Sequence, residues 1–369
     1  MQAPPRIVAA LLHNTSAMKN ALLGGLAPRT FLRRHWQKRP LLVRAALPGL
    51  RGLAGLAALR TLAARDDVES RIAIRSRGRY RITPGPVGRA RTFPRRNWSL
   101  LVNGVNLHVA AAEALLRRFS FVPQARLDDV MVSYAAPGGG VGRHVDSYDV
   151  FLIQGPGKRR WRVWTPQETF HGEFICDEGD LLYLPPHWPH DGVALTPCFT
   201  YSVGFRAPRG AELAARFLDW LHERGLPDAA YADPRLSPTA HPGAIPREMA
   251  RFTKEVVDRI RWTKRDAARL LGQYLSEPKT HVLFKASAAR VPLSRARVRL
   301  DAKTQLLYLD GDFFLNGDVL RPRGREAALL RELADTRRLD GGRAARSGLR
   351  DLLYDWRAAG YLHFEMQAA

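Results

Sequence analysis

The sequence predicts an α+β protein whose central region is an all-β sandwich or small barrel, with helical segments on both sides. From residue 129 to residue 205, short apolar runs follow one another at close spacing, separated by Gly and Pro turns. This rhythm is typical of a closed or two-layered antiparallel sheet. Outside this region, apolar residues recur at helical spacing. The predicted strands are Val130–Ala135, Asp149–Gln154, Trp161–Trp164, Leu181–Leu184 and Phe199–Phe205.

The region before the strands is predicted to hold a leader and two helices. Residues 53–65 are rich in Ala and Leu, and Leu107–Phe119 has a helical apolar pattern. The first acidic residue is Asp66, so the N-terminus is Arg-rich and acid-free, as organelle transit peptides are. Because residues 31–40 already have the texture of a folded domain, a removable or disordered leader is confined to residues 1–28.

The region after the strands divides into a helical part and a mixed part. Glu212–Arg224 is amphipathic, and a Pro-rich connector over residues 231–246 follows it. The mixed part contains Asp310-Gly311 and Asn316-Gly317, dipeptides that signal tight hairpin turns. This order predicts a winged-helix-like domain at the C-terminus. The other predicted elements are helices at Arg247–Ile260, Lys264–Leu275, Arg325–Ala334 and Ser347–Ala358 and a strand at Tyr361–Phe364.

Composition places the chain among ordinary soluble globular proteins. Its 369 residues, 46% hydrophobic and 25% charged, are enough for two or three domains with a sizeable core. No apolar run reaches the ~18–20 residues that a membrane span needs. The two cysteines, Cys176 and Cys198, have no paired spacing. This argues against a disulfide framework or a structural zinc site and favours a reducing cytoplasm.

The charge balance is strongly basic, since 58 Lys and Arg oppose 35 Asp and Glu for a formal net charge of +23. Such an excess favours contact with nucleic acid or a nucleoprotein. Arg and Ala enrichment of the genome explains it equally well, because the arginines run through every region of the chain. Both explanations stay open from composition alone.

The segment most indicative of chemistry is Gly142-Arg143-His144-Val145-Asp146, followed later by Pro185-Pro186-His187-Trp188-Pro189-His190. A His-x-Asp pair with a distant second histidine is the ligand set of a 2-His-1-carboxylate Fe(II) site, which leaves positions open for a cosubstrate and oxygen. In an extended strand, His144 and Asp146 would project from one face and reach one ion. The third ligand is His187 or His190, and the pattern does not separate these two histidines.

Two further features near this motif have competing interpretations. The Gly-rich loop over residues 137–142 lacks the ending of a P-loop and does not lead into a helix. A turn that passes close to a metal site is therefore favoured over a phosphate cradle. Arg159 or Arg160 would be a buried cation if it faced inward, and the C5 carboxylate of 2-oxoglutarate is a matching partner. Alternatively, residues 158–160 form a solvated turn.

These residues resemble the bacterial JmjC-type ribosomal oxygenases, a family that hydroxylates an arginine of a ribosomal protein. The resemblance extends from about Phe31 to about Met249, and beyond that only the general layout agrees. The matching stretches are Trp36–Leu42, Trp98–Val105, Asp128–Tyr134, Pro137–Gly142, His144–Phe151, Ile153–Gly155, Gly179–Pro186, Pro189-His190, Tyr201–Pro208, Ala240–Pro242 and Ile245–Met249.

The resemblance implies a fold and a domain order. Residues 29–207 would form a double-stranded β-helix, the cupin/JmjC jelly roll. Residues 208–277 would form a helical dimerisation region, and residues 278–369 a winged-helix-like domain.

The resemblance also implies the metal and cosubstrate residues. His190 aligns with the third metal ligand, whereas His187 falls where the family has a different residue. Arg159 would clamp the cosubstrate carboxylate with help from the Ser133 hydroxyl. Thr200 stands where relatives often have Asn.

Four residues match positions that receive the substrate arginine. Asp129 would pair with the guanidinium, while Met131 and Tyr148 would flank its aliphatic stem and Ser202 would add a polar contact. As alternatives, Met131 and Tyr148 fill the core and Asp129 is a surface carboxylate. The stretch between Trp164 and Phe174 is shorter than in relatives, so loop contacts with the substrate are not carried over.

The implied activity is Fe(II)- and 2-oxoglutarate-dependent hydroxylation, with O2, at Cβ of an arginine in large-subunit ribosomal protein sixteen. The implied enzyme is a cytoplasmic homodimer, with no catalytic residue beyond the metal triad. Its partner is a ribosomal protein, with contact to ribosomal RNA through the basic surface as a further expectation. The alternatives are a histidyl hydroxylase of another ribosomal protein and a non-catalytic nucleic-acid-binding protein.

Overall fold

In the computed structural model, the described residues are 22–50, 53–88, 92–286 and 291–366. The chain divides into two compact units. The larger unit comprises Met1–Ala207, Pro278–Thr304 and Arg337–Ala369, and the smaller comprises Pro208–Glu277 and Gln305–Thr336. Among the described residues, no helix is both long and apolar enough to cross a membrane.

Strands and helices are distributed along the described chain in the α+β order that the sequence predicts. The strands are β1 Leu41–Val43, β2 Ser70–Ser76, β3 Arg79–Pro84, β4 Trp98–Val102, β5 Leu127–Ala135, β6 Val150–Gln154, β7 Arg159–Trp164, β8 Phe170–Cys176, β9 Leu181–Leu184, β10 His190–Ala194, β11 Cys198–Phe205, β12 Ala296–Leu300, β13 Leu306–Leu309, β14 Asp312–Leu315, β15 Asp318–Leu320, β16 Arg338–Asp340 and β17 Leu362–Met366. The helices are α1 Pro28–Arg34, α2 Leu56–Ala63, α3 Ala110–Arg117, α4 Gly210–Glu223, α5 Arg247–Asp258, α6 Lys264–Ser276, α7 Gly324–Thr336, α8 Gly341–Ala345 and α9 Arg350–Ala358.

Two antiparallel sheets pack against each other in the larger unit and form the predicted β-sandwich. One sheet has the order β1-β9-β6-β11-β5-β4-β2-β3, and the other has the order β10-β7-β8. Apolar side chains of β6 and β9 meet Trp161, Val163 and Cys176 of the second sheet in a buried cluster. The five predicted strands are confirmed close to their predicted bounds, as β5, β6, β7, β9 and β11.

The sequence did not predict strands β8 and β10, although they belong to the second sheet. β8 exposes most of its side chains and interrupts its aromatic residues with His171, Gly172 and Glu173. β10 is short and begins at the candidate ligand His190. Neither strand therefore has the alternating apolar pattern from which half-buried strands are recognised.

Aromatic side chains close the opposite face of the eight-stranded sheet. Phe31 of α1 is fully buried, and its ring centroid lies 5.5 Å from that of Phe151 and 5.0 Å from that of Tyr183. Pro28 occupies the first turn of α1, where its missing N–H removes no helical hydrogen bond. Helix α1 is thereby packed against the sheet that carries the candidate site.

The predicted leader overlaps this core. Leu22 and Leu23 are fully buried among the core residues, although both fall within the predicted leader over residues 1–28. Residues 1–21, the rest of that prediction, lie outside the described residues.

A third sheet of the larger unit has the order β16-β12-β17 and is accompanied by α8 and α9. Asp340 caps α8, since its Oδ1 accepts a hydrogen bond of 2.7 Å from the Arg343 backbone N–H. The segment predicted as winged-helix-like, residues 278–369, thus contributes to both compact units. Its boundary at residue 278 stays a prediction.

The smaller unit contains α4 to α7 and the sheet β13-β14-β15. Asp310 and Gly311 have φ values of 49° and 85°, and Asn316 and Gly317 have values of 51° and 99°. Consecutive positive φ values are the requirement of the type I′ turn, so both predicted hairpin turns are confirmed. Helices α4 and α5 contain no buried residue.

Candidate active site

The three candidate metal ligands converge at one point between the two packed sheets. His144 lies in the segment before β6 and forms a single β-bridge with His190, the first residue of β10. The two backbones exchange N–H···O hydrogen bonds of 3.0 and 2.9 Å. The spacing of His144 and Asp146 predicts that both lie on one regular strand. The structure shows that they do not. The bridge and the following bend bring them together instead.

The geometry of the cluster suits one metal ion. One potential ligand atom from each of His144, Asp146 and His190 lies within 4.8 Å of the others, and His190 Nε2 is 3.7 Å from Asp146 Oδ2. The Nδ1 atoms lie 2.9 Å from backbone carbonyl oxygens, those of Gly142 for His144 and Trp188 for His190. Because a carbonyl only accepts, each Nδ1 carries a proton, which leaves Nε2 as the nitrogen that each ring can offer to a metal ion.

The electrostatic environment keeps His190 in the form that binds metal. Its side chain is almost fully buried. Burial lowers the pKa of His190 below its ordinary value, and the neighbouring His144 lowers it further. A neutral imidazole is the ligand form, so little proton release opposes metal binding at this histidine.

His187 has a different position. Its ring is exposed and is absent from the cluster, while its backbone N–H donates a 2.8 Å hydrogen bond to the Asp146 carbonyl. Its φ of 66° belongs to the tight turn between β9 and β10. Of the two histidines that the pattern left open, the structure brings His190 to the other two ligands.

A cavity of about 330 Å³ opens from the metal cluster. One face of two paired strands lines it. Asp129, Met131 and Ser133 alternate along β5, as strand side chains do. Thr200 and Ser202 of β11 pair with Ser133 and Met131 in register. The cavity lining also includes Arg71, Ile82, Asn103, Asp128, Tyr148, Arg159, Trp161 and Gly204.

Arg159 turns inward from β7, and its guanidinium forms no ion pair with any described carboxylate. Only 5% of its surface is exposed, and its Nε and Nη2 atoms have no hydrogen-bond partner in the described part of the chain. The buried Thr200 hydroxyl also has none, and the Ser133 hydroxyl makes only a 3.5 Å contact, to the Thr200 carbonyl. Arg160 points elsewhere and lies 3.9 Å from Glu173. Unsatisfied buried donors are costly, so an anionic ligand fits here.

Asp129 is a buried carboxylate at the same cavity and not a surface residue. It is 8% exposed, and its Oδ2 accepts a 2.7 Å hydrogen bond from the Gly104 backbone N–H. Burial raises the pKa of Asp129 above its ordinary value, and the nearby Lys279 ammonium opposes this rise. Tyr148 is 39% exposed at the cavity, which argues against a core-filling role.

Two residues around Asp129 have no counterpart in the sequence-based prediction. Asn103 lines the cavity, and its Oδ1 is buried without a hydrogen-bond partner among the described residues. Lys279 forms a 2.9 Å ion pair with Asp128, the neighbour of Asp129. Asn103 belongs to the stretch Trp98–Val105, which matches the family but in which the sequence analysis assigns no role to any residue. Lys279 is remote in sequence, and nothing in its local pattern indicates its location.

Two family models match separate parts of the chain. A JmjC domain model matches residues 114–213, which include the three metal-cluster residues. A model described as a ROXA-like winged helix matches residues 259–363.

Two curated relatives are similar to more than half of the chain. The ribosomal protein uL16 3-hydroxylase of Escherichia coli (strain K12) is 40% identical over 247 residues, 62% of this chain and 66% of the relative. A probable ribosomal oxygenase of Haemophilus influenzae is 36% identical over 209 residues, 51% of this chain and 52% of the relative. The matched stretch thus spans 66% and 52% of these relatives' lengths.

Solved structures extend the similarity to nearly the whole chain. The structure of YcfD, a ribosomal oxygenase from Escherichia coli, has a TM-score of 0.78 at 32% identity and covers 92% of this chain and 98% of that one. A structure of YcfD in complex with cobalt and 2-oxoglutarate has a TM-score of 0.77 at 30% identity, with the same coverage.

Proposed function

The chain belongs to the family of JmjC-type ribosomal oxygenases, and we propose that it is an Fe(II)- and 2-oxoglutarate-dependent dioxygenase that hydroxylates an arginine side chain of a ribosomal protein. The Escherichia coli relative is named a uL16 3-hydroxylase, so the proposed target is Cβ of an arginine in the same large-subunit protein. One observation carries the proposal. A single cavity joins a His-Asp-His cluster, a buried unpartnered guanidinium and a buried carboxylate.

The donor set fits Fe(II). Two imidazoles and one carboxylate are the donor set of non-haem Fe(II) oxygenases. His144, Asp146 and His190 would hold the ion, with both histidines oriented by carbonyl groups. Bound Fe(II) supplies the redox chemistry by which 2-oxoglutarate, O2 and a substrate C–H become succinate, CO2 and C–OH.

Arg159 would bind the distal carboxylate of 2-oxoglutarate. Its two unpartnered nitrogens offer a forked pair of donors, which matches the two oxygens of a carboxylate. Thr200 and Ser133 add hydroxyl donors on the adjacent strands. The buried position excludes water, so the ion pair orients the cosubstrate strongly.

The other part of the cavity would receive the substrate arginine. Asp129 would pair with the guanidinium, and Asn103 Oδ1 would accept a further N–H. Met131 and Tyr148 would flank the aliphatic stem, with Ser202 as a polar contact. A histidine side chain is shorter and is less consistently charged than arginine, so a buried carboxylate favours arginine.

The test uses the purified full-length chain with Fe(II), 2-oxoglutarate and O2. A uL16-derived peptide with arginine should gain the mass of one oxygen atom, with one equivalent of succinate formed. The same peptide with histidine in place of the arginine should not. His144→Ala should abolish both products. Hydroxylation of the histidine peptide alone would overturn the arginine assignment in favour of a histidyl hydroxylase.

A non-catalytic nucleic-acid-binding protein is the alternative from another class. It predicts salt-dependent binding of RNA or DNA that His144→Ala leaves unchanged, with no succinate formed by the unmodified chain. The unpartnered Arg159 weighs against it, because a pure binding protein has no need of a buried free guanidinium.

We further propose that the helical region over residues 208–277 binds a second copy of this chain. Helices α4 and α5 have no buried residue, and Leu218 and Val257 on them are 66% and 58% exposed. Exposed apolar surface of this kind marks association sites. Light scattering should report a dimer, and Leu218→Asp combined with Val257→Asp should give a monomer. Glu255→Ala, an exposed change on α5, should leave the dimer intact.

The remaining assignments follow from the proposed substrate. Residues 29–207 form the oxygenase domain and residues 278–369 the winged-helix-like domain in this proposal. The proposed ribosomal-protein substrate supports a cytoplasmic location, and the net charge of +23 supports contact with ribosomal RNA.

A further inference from the structure

An arginine-rich hairpin borders the cavity. Residues 70–112 contain nine arginines and no acidic residue, so this segment carries +9 of the formal charge of +23. Five of these arginines belong to β2, β3 and the turn between them. They are Arg71, Arg75, Arg77, Arg79 and Arg81. The basic excess is therefore locally concentrated, which composition alone did not indicate.

The tip of this hairpin is available to a partner. β3 is the last strand of the eight-stranded sheet, and Arg77, Arg79 and Arg81 are exposed. No carboxylate of the described residues forms an ion pair with any of these three arginines. Arg75 differs, since its guanidinium carbon lies 5.8 Å from the centre of the Tyr80 ring. The hairpin thus presents exposed guanidinium groups without anions.

The same hairpin is part of the candidate active site. Arg71 of β2 and Ile82 of β3 line the cavity. The Tyr80 ring packs on Gly142, where a Cβ would lie 2.9 Å from Tyr80 Cδ2. Gly142 is two residues from the metal-cluster residue His144 and orients it through its carbonyl. Whatever binds along the hairpin is therefore held beside the opening to the metal cluster.

Asp129 and the arginines of the hairpin favour binding partners of opposite charge. Asp129 inside the cavity suits a cationic side chain, whereas a basic polypeptide approaching the hairpin would be repelled. A basic segment already bound to RNA offers both charges, because its phosphates can face the arginines. An acidic protein would satisfy the hairpin but would bring no cation for Asp129.

We propose that the β2–β3 hairpin binds RNA phosphates, and that the enzyme takes its ribosomal-protein substrate while that protein is held on RNA. The inference rests on the proposed arginine hydroxylation for the identity of the substrate. RNA binding by the hairpin itself does not depend on catalysis, so the two are tested separately.

The binding test compares two variants of equal charge in the full-length chain. Arg77→Gln/Arg79→Gln/Arg81→Gln removes three charges from the hairpin. Arg29→Gln/Arg33→Gln/Arg34→Gln removes three exposed charges around α1. Fluorescence anisotropy with a short labelled single-stranded RNA is measured across a salt titration. The hairpin variant should bind at least about tenfold more weakly, and its salt slope should fall by about 2, near 0.7 for each lost phosphate contact.

Two results would overturn RNA binding by the hairpin. Equal weakening in both variants would mean that only net charge matters. Polyglutamate that displaces RNA from the hairpin at an equal concentration of charges would mean that the surface binds acidic protein instead. Melting temperatures of both variants should match that of the unmodified chain, since all six arginines are exposed.

The second test concerns catalysis. The unmodified chain should hydroxylate an arginine peptide bound to RNA with a higher kcat/KM than the free peptide. The hairpin variant should lose that gain and keep the rate on the free peptide. A gain that persists in the hairpin variant would refute presentation on RNA. Failure to hydroxylate either peptide would refute the proposed function instead, with the binding result unaffected.

Discussion

Arg159 and Asp129 are two buried residues of opposite charge in the lining of the cavity. Arg159 is buried with two unpartnered nitrogens, and Asp129 is buried with one backbone hydrogen bond. Each carries a desolvation cost that a ligand of opposite charge would offset. The proposed cosubstrate is anionic and the proposed substrate side chain is cationic. Arg159 would therefore bind the cosubstrate and Asp129 the substrate.

Substitution of Arg159 tests the anionic ligand. Arg159→Gln should raise the KM for 2-oxoglutarate by roughly 30-fold or more, because a buried charge pair that loses one partner costs about 2–5 kcal/mol. Arg159→Lys should give an intermediate KM, since it keeps the charge and loses the fork. Steady-state assays of succinate formation measure both. An unchanged KM in Arg159→Gln would place the carboxylate elsewhere.

The environment of Asp129 predicts a pH dependence. Burial raises the pKa of Asp129, and only the ionised carboxylate pairs with the substrate. The kcat/KM for the arginine peptide should therefore fall on acidification at a pH above the ordinary aspartate pKa of about 4. Lys279 stabilises the ionised form, so Lys279→Met should move this acidic limb to higher pH, while Lys279→Arg should leave it in place.

Lys279 could affect the reaction in two ways, by stabilising ionised Asp129 or by competing with the substrate cation, and kinetics separate the two. If the ammonium of Lys279 occupied the site of the substrate cation, Lys279→Met would lower the KM for the peptide at neutral pH. Because Lys279 pairs with Asp128, we expect the first of these. The peptide KM of Lys279→Met should then be unchanged at a pH well above the acidic fall in kcat/KM, and raised at a pH close to it. Rate profiles against pH for the three proteins distinguish these results.

At the scale of elements, the paired strands β5 and β11 build the cavity wall. Thr200 and Ser202 stand opposite Ser133 and Met131, and the pairing becomes irregular between Val203 and Phe205. The irregularity surrounds Gly204, which lines the cavity. A β-bulge redirects the strand at such a place and commonly occurs beside active sites.

Gly204 is predicted to leave space for the substrate stem. A Cβ at this position would lie 3.6 Å from Asp129 Oδ1 and 3.9 Å from Tyr148 Cε2, ordinary contacts that fill the gap between them. Gly204→Ala should therefore fold normally yet raise the KM for the arginine peptide by about 10- to 200-fold, the effect of one methyl group in a tight pocket. The KM for 2-oxoglutarate should not change.

The matched control is Gly210→Ala at the start of α4, where a Cβ would meet no atom within 4 Å. Peptide kinetics and thermal melting of the two variants are compared side by side. Equal peptide KM values for both variants would contradict the predicted gap. A lower melting temperature for Gly204→Ala alone would show that its higher KM comes from a disturbed fold and not from a filled gap.

The strands of the cavity wall and the metal motif could be predicted from sequence, but the pairing that brings the three metal-cluster residues together could not. Short apolar runs between Gly and Pro turns identified β5 and β11, and the His-x-Asp motif identified two of the three cluster residues. The predicted strand face for His144 and Asp146 was wrong, because a β-bridge to His190 sets their positions. Such a bridge pairs residues 46 positions apart, and no local pattern encodes it.

At the scale of the whole molecule, the fold class followed from the strand rhythm and from the family resemblance. The distribution of residues between two compact units did not follow, since each draws on segments that are separate in sequence. Contacts such as Lys279 to Asp128 join distant segments within the larger unit, so only the folded chain reveals them. Asn103 is similar, because its unpartnered oxygen is a property of its surroundings.

The β-bridge between His144 and His190 has a consequence for stability. His190 belongs to the three-stranded sheet, while Asp146 leads into β6 of the eight-stranded sheet. A bound divalent ion would act as a cross-link between the two layers of the sandwich. Because the ion binds only the folded arrangement, it would resist separation of the layers and raise the melting temperature.

Thermal melting with added Co(II) measures this cross-link without any catalysis. At a concentration about 100 times Kd the native state gains about 2.7 kcal/mol, which corresponds to several degrees for a unit of this size. His190→Ala should abolish the increase, whereas His187→Ala should retain it. The ion that drives the oxidation would then also be a clamp, so an enzyme starved of iron would be both inactive and more easily unfolded.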